Sequence, residues 1–454
     1  MSYPSLRIVV IGGGLAGSEA AWQLAAQGWH VDLYEMRPVV STPAHRTPYF
    51  AELVCSNSFR SRDLTHAAGL LKEELRRVGS LIMRMADQHA VPAGGALGVD
   101  RELFARAVTR ALESHPRIRI HRVEVTDIPD ADAVLIATGP LTSARLAESI
   151  RRLTGVGQLH FYDAVSPIVE ADSIDMRYAF RGSRYGKGGD DYINCPMDET
   201  AYRRFWEALC QAERYPLKDF ESIAELRFFE GCLPIEEMAR RGYETLLYGP
   251  LKPVGLIDPR TGREPFAVVQ LRQDNIAATL YSMVGFQTTL RIPEQQRVFR
   301  LIPALHDAVF VRYGMVHRNT FICSPRLLNA AYQLRADPRI FFAGQITGVE
   351  GYIESTASGF VAAMAMACWL RQIPWEPPPR TTAMGALTYY ISHADAEHFQ
   401  PMNINWGIIE PWPKRERDRR TRRLRMAHRA LSDLEQWWMH MQQRLGIAVQ
   451  VTSV

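Results

Sequence analysis

The sequence predicts an α/β chain that opens on a Rossmann-like βαβ unit, and three glycine-bearing stretches predict it. The first is Arg7–Arg37, RIVVIGGGLAGSEAAWQLAAQGWHVDLYEMR. The second is Ala133–Gly139, AVLIATG, and the third is Ile340–Ser355, IFFAGQITGVEGYIES. Each runs a short apolar strand into a small-residue turn, the pattern of strands buried on both faces that deliver backbone to a ligand.

In the first stretch Ile8–Ile11 is the strand, and Gly12, Gly14 and Gly17 follow in G-x-G-x-x-G spacing. Gly12 permits the tight turn, Gly14 lets backbone N–H groups approach a pyrophosphate, and Gly17 lets helix and strand pack closely. Gly13, Leu15 and Ala16 complete the turn, and Leu15–Gln27 reads as the helix, ended by Gly28. A second strand, His30–Tyr34, delivers Glu35, followed by Met36 and Arg37. An acid 21 residues after Gly14 suits a ribose hydroxyl and an unphosphorylated ribose, so FAD or NAD rather than NADP. This stretch alone leaves FAD and NAD both open.

Next comes a Thr-, Pro- and His-rich loop, Val39–Tyr49, and then Glu52–Ser61, ELVCSNSFRS, a polar cluster around Cys55 with Arg60 and Arg62 close in sequence. An electropositive setting favours thiolate; a small buried structural cysteine is the equal alternative. Thr65–His89 reads as one long amphipathic helix, Asp100–Ser114 as another, and Arg117–Val125 as a strand. The strand from Ala133 ends in Ala137, Thr138 and Gly139, a turn of the kind that passes close to a bound cofactor.

From 151 to 324 the periodicity is mixed. Gly182–Asp191 is a Gly-rich loop able to touch phosphate, yet it lacks the G-K-[ST] of a P-loop. Thr200–Arg214 reads as a helix. In Glu230–Gly242, EGCLPIEEMARRG, Pro234 fits a first helical position and Glu236 and Glu237 a first turn. Cys232 then falls at the positive end of a helix dipole, which lowers a thiol pKa. A buried structural cysteine is again the alternative. The stretches Val268–Asn275, Ser282–Leu290 and Tyr313–Leu328 mix apolar runs with amide, Arg and His side chains, as the wall of a polar pocket would.

In the third stretch Gly344, Gln345, Gly348, Val349, Gly351 and Tyr352 lead into a small-residue helix, Ser355–Leu370. A late strand–Gly–helix unit completes the flavin site in flavin disulfide-reductase-like folds. Together with the first two stretches it implies one FAD held by both ends of a glutathione-reductase-type domain. No second G-x-G-x-x-G is present for a separate nicotinamide domain. The expected division is an FAD-binding domain over 1–150 and 325–372, an inserted α/β substrate domain over 151–324, and a helical C-terminal segment over 373–454. In that segment Met384–Pro411 reads as loop. Lys414–Gly446 reads as a helix, with Leu424, Ala427, Leu431, Leu434, Trp438, Met441 and Leu445 on its apolar stripe. Its first half is crowded with arginine, either a solvated face or an RNA phosphate contact surface.

The totals constrain class more than function. The net charge is +4, and only five of the 53 basic residues are Lys, which permits a nucleic-acid partner without requiring one. Six scattered cysteines with no C-x-x-C argue against a zinc site or a disulfide framework, so no metal is expected. A strand almost at the N-terminus leaves no room for a signal peptide, and the longest apolar run, Gly359–Leu370, is too short to span a bilayer. The expectation is a cytoplasmic protein with reduced thiols and no membrane partner.

Longer strings carry a specific likeness: GGGLAGSEAAW with YEMRP, ELVCSNSFRS, RYGKGGDDYINCPM, FEGCLPIEEMARRG, PVGLIDPRTG, VVQLRQDN, SMVGFQT, HRNTF, AGQITGVEGYIESTASG and FQPMNINWG. On these the chain resembles, essentially end to end, the folate- and flavin-dependent tRNA (uracil-5-)-methyltransferase family, TrmFO. The resemblance implies formation of 5-methyluridine in the T loop of tRNA. The one-carbon donor would be 5,10-methylenetetrahydrofolate, the cofactor FAD and the reductant NADH or NADPH, with no obligate protein partner. It also implies that Cys55 and Cys232 are the two functional cysteines, Cys232 adding to uracil carbon 6 and Cys55 assisting near the flavin. Tyr352 could stack on a pterin or serve structure. Three alternatives stand beside this reading. One is a related flavoprotein that modifies wobble uridines, a longer chain with a larger helical C-terminal region. Another is the same chemistry on ribosomal RNA. The third, a plain disulfide reductase, would need closely spaced redox cysteines that the chain lacks.

Overall fold

The computed structural model describes residues 6–155, 157, 159–164, 166–215, 233–414 and 416–447. The chain begins with β1 (Ile8–Ile11), α1 (Leu15–Ala26) and β2 (Val31–Tyr34). After the long loop come β3 (Ser58–Ser61), α2 (Ala67–Arg77), α3 (Leu81–Gln88), β4 (Ala90–Val91), β5 (Ala96–Val99) and α4 (Arg101–Glu113). Then follow β6 (Ile118–His121), β7 (Ala133–Ile136) and α5 (Ala144–Thr154). A middle run holds β8 (Leu159–Ala164), β9 (Ile168–Glu170), β10 (Phe180–Arg181), β11 (Tyr192–Met197), α6 (Glu199–Gln211), α7 (Ile235–Arg240) and α8 (Thr245–Tyr248). It continues through β12 (Ala267–Gln273), β13 (Leu280–Met283), α9 (Ile292–Phe299), β14 (Phe310–Arg312) and β15 (Val316–Phe321). The chain then passes through α10 (Ser324–Leu327), β16 (Ile340–Phe342), α11 (Tyr352–Leu370), α12 (Ala383–His393) and α13 (Arg419–Leu445).

Five parallel strands form the first sheet in the order β16-β7-β1-β2-β6, with Ile8 opposite Val31 on one side and Ala133 on the other. β1 and β7 are buried along their whole length, which explains their unbroken apolar sequence. The late strand β16 therefore joins the sheet beside β7, bringing the third glycine stretch to the first two. A six-stranded antiparallel sheet, β10-β11-β12-β13-β9-β14, is built from the middle of the chain. β8 and β15 pair antiparallel, Leu159 opposite Phe321, so the chain's outward and return crossings run side by side. A small β3-β5-β4 sheet lies between. Apolar side chains gather in one large core around the parallel sheet and a second around the antiparallel one, and α12 and α13 contribute to the first.

α1 and α11 cross at very short range. A Cβ on Gly359 would lie 2.3 Å from the Ala16 carbonyl oxygen, so only glycine lets the two backbones meet there. This contact accounts for the small residues of α11 better than a lipid-facing role does. The helix has the length and composition to cross a membrane, but 89% of that window is buried inside the protein.

Several elements differ from the sequence expectation. The single helix expected over Thr65–His89 is two, broken where Gly79 takes φ +76° and Ser80 caps α3 through its side chain to Met83 N. The strand expected over Arg117–Val125 stops at His121, and the expected loop Met384–Pro411 begins with most of α12. Gly385 and two neighbouring prolines obscured that helix. A Cβ on Gly385 would strike the Pro379 carbonyl oxygen at 2.1 Å, so the glycine serves close approach rather than a turn. α13 starts at Arg419, capped by Asp418, and it buries Met426, Ala430 and Trp437, with Trp438 half-buried against Phe360.

Candidate active site

A cleft of about 1020 Å³, its open mouth included, runs along the C-terminal ends of β1, β2 and β7. That edge of an open parallel sheet is where such folds bind ligands. Its wall brings together Gly12, Gly13, Gly14, Leu15, Ala16, Glu35, Met36, Arg37, Ala137, Thr138, Gly139, Gly344, Gln345 and Tyr352. Gly17 lies inside α1, where a Cβ would sit 1.9 Å from the Gly12 carbonyl oxygen, and it does not line the cleft. Gly348, Val349 and Gly351 also stand back from the wall, in the turn that leads into α11.

The cleft has the donors an FAD needs. α1 starts at Gly14 with no side-chain cap, leaving its first amide N–H groups for an anion. A Cβ built on Gly14 meets nothing within 4 Å, so that face of the turn is open. α11 likewise starts at Gly351, φ +117°, with no side-chain cap. Glu35 is buried in the wall and already well partnered. Its Oε1 accepts from Arg37 N (3.0 Å) and Nε (2.9 Å), and its Oε2 from Gly13 N (3.0 Å) and Arg37 Nη2 (3.0 Å). Burial opposes the charge, but the Arg37 and Gly13 contacts win and hold the carboxyl below its usual range. Glu35 thus buttresses the glycine turn as well as lining the cleft.

Sequence reasoning passed over part of the wall: Thr42, His45 and Glu52 from the long loop, Val123–Val125, Pro140–Ser143 and Ser355. The Thr- and His-rich composition of 39–49 was the available signal for the first group. The Gly182–Asp191 loop stays out of the cleft, its Asp191 carboxylate accepting from Gly94 N at 2.7 Å.

Cys55 follows Val54, which lines the cleft, and its loop is held at every residue from 53 to 57. Arg101 donates to Leu53 O (2.7 Å) and Arg312 to Val54 O. The Tyr352 hydroxyl accepts from Cys55 N (2.9 Å) and Ser56 N (3.0 Å). Arg272 donates to Ser56 Oγ (2.7 Å) and Asn57 Oδ1 (2.8 Å), while Asn57 Nδ2 reaches Val99 O and Gln273 O. The positive charge near this thiol therefore comes from Arg101, Arg272 and Arg312, each in electrostatic contact with Cys55. It does not come from the neighbours in sequence: Arg60 pairs with the buried Glu354, and Arg62 points to solvent. Burial, then the charge of Arg101, pulls the Arg312 guanidinium down to about 10. Below the loop, buried Lys72 donates to Phe59 O (2.8 Å) and Ala68 O (2.9 Å), and burial brings it to about 7. Tyr352 thus serves structure through its hydroxyl while it lines the cleft.

Cys232 lies outside the described residues. The helix after it begins at Ile235 with Pro234 as its cap, not its first residue, and spans six residues. It is anchored by Glu236, whose carboxylate accepts from Thr288 Oγ1 (2.8 Å), Thr289 N (2.6 Å) and Thr289 Oγ1 (2.5 Å).

Comparison with known proteins agrees with this architecture. A family model described as Glucose inhibited division protein A matches residues 7–374. The methylenetetrahydrofolate--tRNA-(uracil-5-)-methyltransferase TrmFO of Heliobacterium modesticaldum is 58% identical over 433 residues, covering 95% of this chain and 98% of that protein. Its counterpart in Symbiobacterium thermophilum is 60% identical over 435 residues, covering 95% and 96%. Among solved structures, Aquifex aeolicus GidA superposes with a TM-score of 0.68 at 15% identity, over 97% of this chain and 75% of that one, a likeness of fold. The chain belongs to the Glucose inhibited division protein A family and, within it, to the TrmFO group that these bacterial relatives represent.

Proposed function

We propose that the protein methylates carbon 5 of a T-loop uridine in tRNA, taking the one-carbon unit from 5,10-methylenetetrahydrofolate and using FAD as its bound cofactor. The observation that carries the reading is the Cys55 loop, clamped among three arginines beside a cleft with the donors for FAD. A thiol next to a flavin site is poorly explained by simple dinucleotide binding, and the relatives' names supply the substrates.

Carbon 5 of uracil is a weak nucleophile until a thiolate adds at carbon 6 and leaves an enolate. Cys232 is our choice for that thiolate. Carbon 5 then bonds the methylene carbon as its first bond to a folate nitrogen breaks. Carbon 5 loses its proton, tetrahydrofolate leaves with the second carbon–nitrogen bond, and a hydride added to the exocyclic methylene so formed expels the Cys232 sulfur from carbon 6. Methylene stands at the formaldehyde level, so a two-electron reductant is needed to reach methyl, and FAD held in the cleft would supply it once reduced by NADH or NADPH. Cys55, in its cationic enclosure, assists proton removal at carbon 5. Gly12–Ala16, Glu35–Arg37, Ala137–Gly139, Gly344, Gln345 and Tyr352 are the proposed FAD contacts, with Gly17, Gly348, Val349 and Gly351 supporting them by packing. The domain limits at 150/151, 324/325 and 372/373 are proposed with them, as is a cytoplasmic location without an obligate protein partner.

Trapping with 5-fluorouridine-containing tRNA separates the thiols: Cys232→Ala is expected to lose the covalent protein–RNA adduct. An undiminished adduct in that variant would sink the assignment. Methyl incorporation that depends on methylene-folate, ignores S-adenosylmethionine and favours T-loop RNA over ribosomal or anticodon-loop RNA is the expected result. Incorporation into a wobble uridine or ribosomal RNA instead would select one of the alternatives.

A further inference from the structure

The first half of α13 and the loop before it form a groove of about 1440 Å³, open to solvent and separate from the cleft. Trp406 and Trp412 flank it, and Lys414, Arg419, Arg422 and Arg423 give it charge. The other basic residues nearby are engaged. Arg425 pairs with Glu416 at 3.1 Å, Arg420 lies 3.9 Å from Asp63, and Arg429 donates to Pro411 O and lies over the Trp412 ring. Lys414, Arg419, Arg422 and Arg423 have no carboxylate at ion-pair distance among the described residues. Arg419, Arg422 and Arg423 share one helix face at i, i+3 and i+4, so their charges add rather than cancel. Partial burial and then the charges of Arg419 and Arg422 pull Arg423 down, a repulsion that a bound anion would relieve. These cations also sit at the end of α13 whose dipole disfavours them, so they do not serve the helix's own stability.

The groove is tied by short chain to the turn behind the cleft wall and to the first turn of α11, whose Tyr352 lines the cleft. Met402 pairs with the Gly348–Glu350 turn on both sides, and Ile404 N donates to Glu354 in the first turn of α11 at 2.9 Å. Trp406 is anchored by its indole N–H to Thr65 O at 2.9 Å. The four Cα-to-Cα steps from Met402 to Trp406 span at most about 14 Å. The apolar stripe of α13 is buried in the protein core, which leaves no face to insert into a lipid surface.

We infer that this groove grips the sugar–phosphate backbone of the RNA substrate beside the reacting uridine, Lys414, Arg419, Arg422 and Arg423 meeting phosphates and the two tryptophans offering faces to an unpaired base. The inference rests on the tRNA reading above and adds where on this chain the RNA is held.

The test uses the full-length FAD-loaded protein and an unmodified T-arm RNA hairpin, with affinity measured from about 50 to about 300 mM KCl. Arg419→Ala/Arg422→Ala/Arg423→Ala is expected to weaken binding about 10- to 100-fold at low salt and to make the log–log salt slope shallower by about 2–3. Flavin absorbance and RNA-independent reduction by NADPH stay unchanged. The triple Arg→Lys variant keeps most of the slope. Arg151→Ala/Arg152→Ala, at a site where both arginines already pair with Glu148 and Asp127, keeps wild-type affinity. A wild-type protein that methylates the hairpin while the triple Ala variant retains affinity and slope overturns the groove and leaves the functional reading standing. A wild-type protein that neither binds nor methylates it overturns both. A triple variant that loses binding to phosphatidylglycerol vesicles but not to RNA also overturns the groove, in favour of a lipid.

Discussion

Tyr352 holds one oxygen between two amide donors, Cys55 N and Ser56 N, while its ring rests 5.7 Å from Phe59. Burial and then the nearby thiol push its own ionisation up, so the hydroxyl stays neutral. Tyr352→Phe removes the acceptor and leaves both amides without it, a cost of about 1–3 kcal/mol. The expected outcome is a lower melting temperature with FAD retained, and a fall in methyl transfer larger than any change in flavin reduction. Equal losses in both reactions would mean that Tyr352 acts on the flavin rather than on the loop. The sequence made Cys55 legible as a thiol in polar company. It could not show the three arginines, because they arrive from α4, β12 and β14 and meet only when the two sheets dock.

Helix ends show the same limit at the next scale. α12 carries its own Thr382 cap, yet two of its first amides, Ala383 N and Met384 N, are accepted by Glu74 from α2 at 2.6 and 2.9 Å. Glu19 of α1 does the same for α3 through Ile82 N and Ser80 Oγ. Caps lent by another helix leave no local sequence signature, so at α12 only Thr382 stood against Gly385 and the prolines before it, and at the break before α3 the only local marks were Gly79 and Ser80. The periodic strands and the two glycine-led helices of the cleft carry their signals locally and were legible. Glu74 also predicts a pH dependence. Burial, only partly offset by the two amides, raises it from 4.5 to about 8. A raised acid contributes stability that is full below its unfolded value and is lost as pH rises through the folded one. Wild type should therefore lose stability relative to Glu74→Gln between about pH 5 and pH 8, by no more than about 5 kcal/mol. Denaturant unfolding of both proteins at pH 6 and pH 9 measures it, and parallel profiles would show that Glu74 stays ionised.

Across the whole molecule the antiparallel sheet meets the Cys55 loop, the small β3-β5-β4 sheet and the start of α4 through a few buried polar contacts. Arg101 pairs with Asp274 at 3.0 Å, Asn57 bridges Val99 O and Gln273 O, and Ile276 N donates to Asp100 at 2.9 Å. Asp274→Ala leaves Arg101 buried without its carboxylate, a loss of about 3–5 kcal/mol. Hydrogen exchange is expected to quicken in residues 53–57 before it does in β1 or α1, and uniform quickening would count against a local seam. That the three glycine stretches meet at one cleft was readable from the sequence; the order of the strands and the seam were not, because the seam joins residues far apart in the chain. Because the Cys55 loop is triangulated by Tyr352 from the first turn of α11 and by Arg272 and Arg312 from the antiparallel sheet, the thiol belongs to neither half alone. The halves cannot be exchanged like cassettes: a chimera grafting the middle segment of a distant relative onto this scaffold would fold and bind flavin, yet misplace its thiol unless both ends of the clasp were transplanted together.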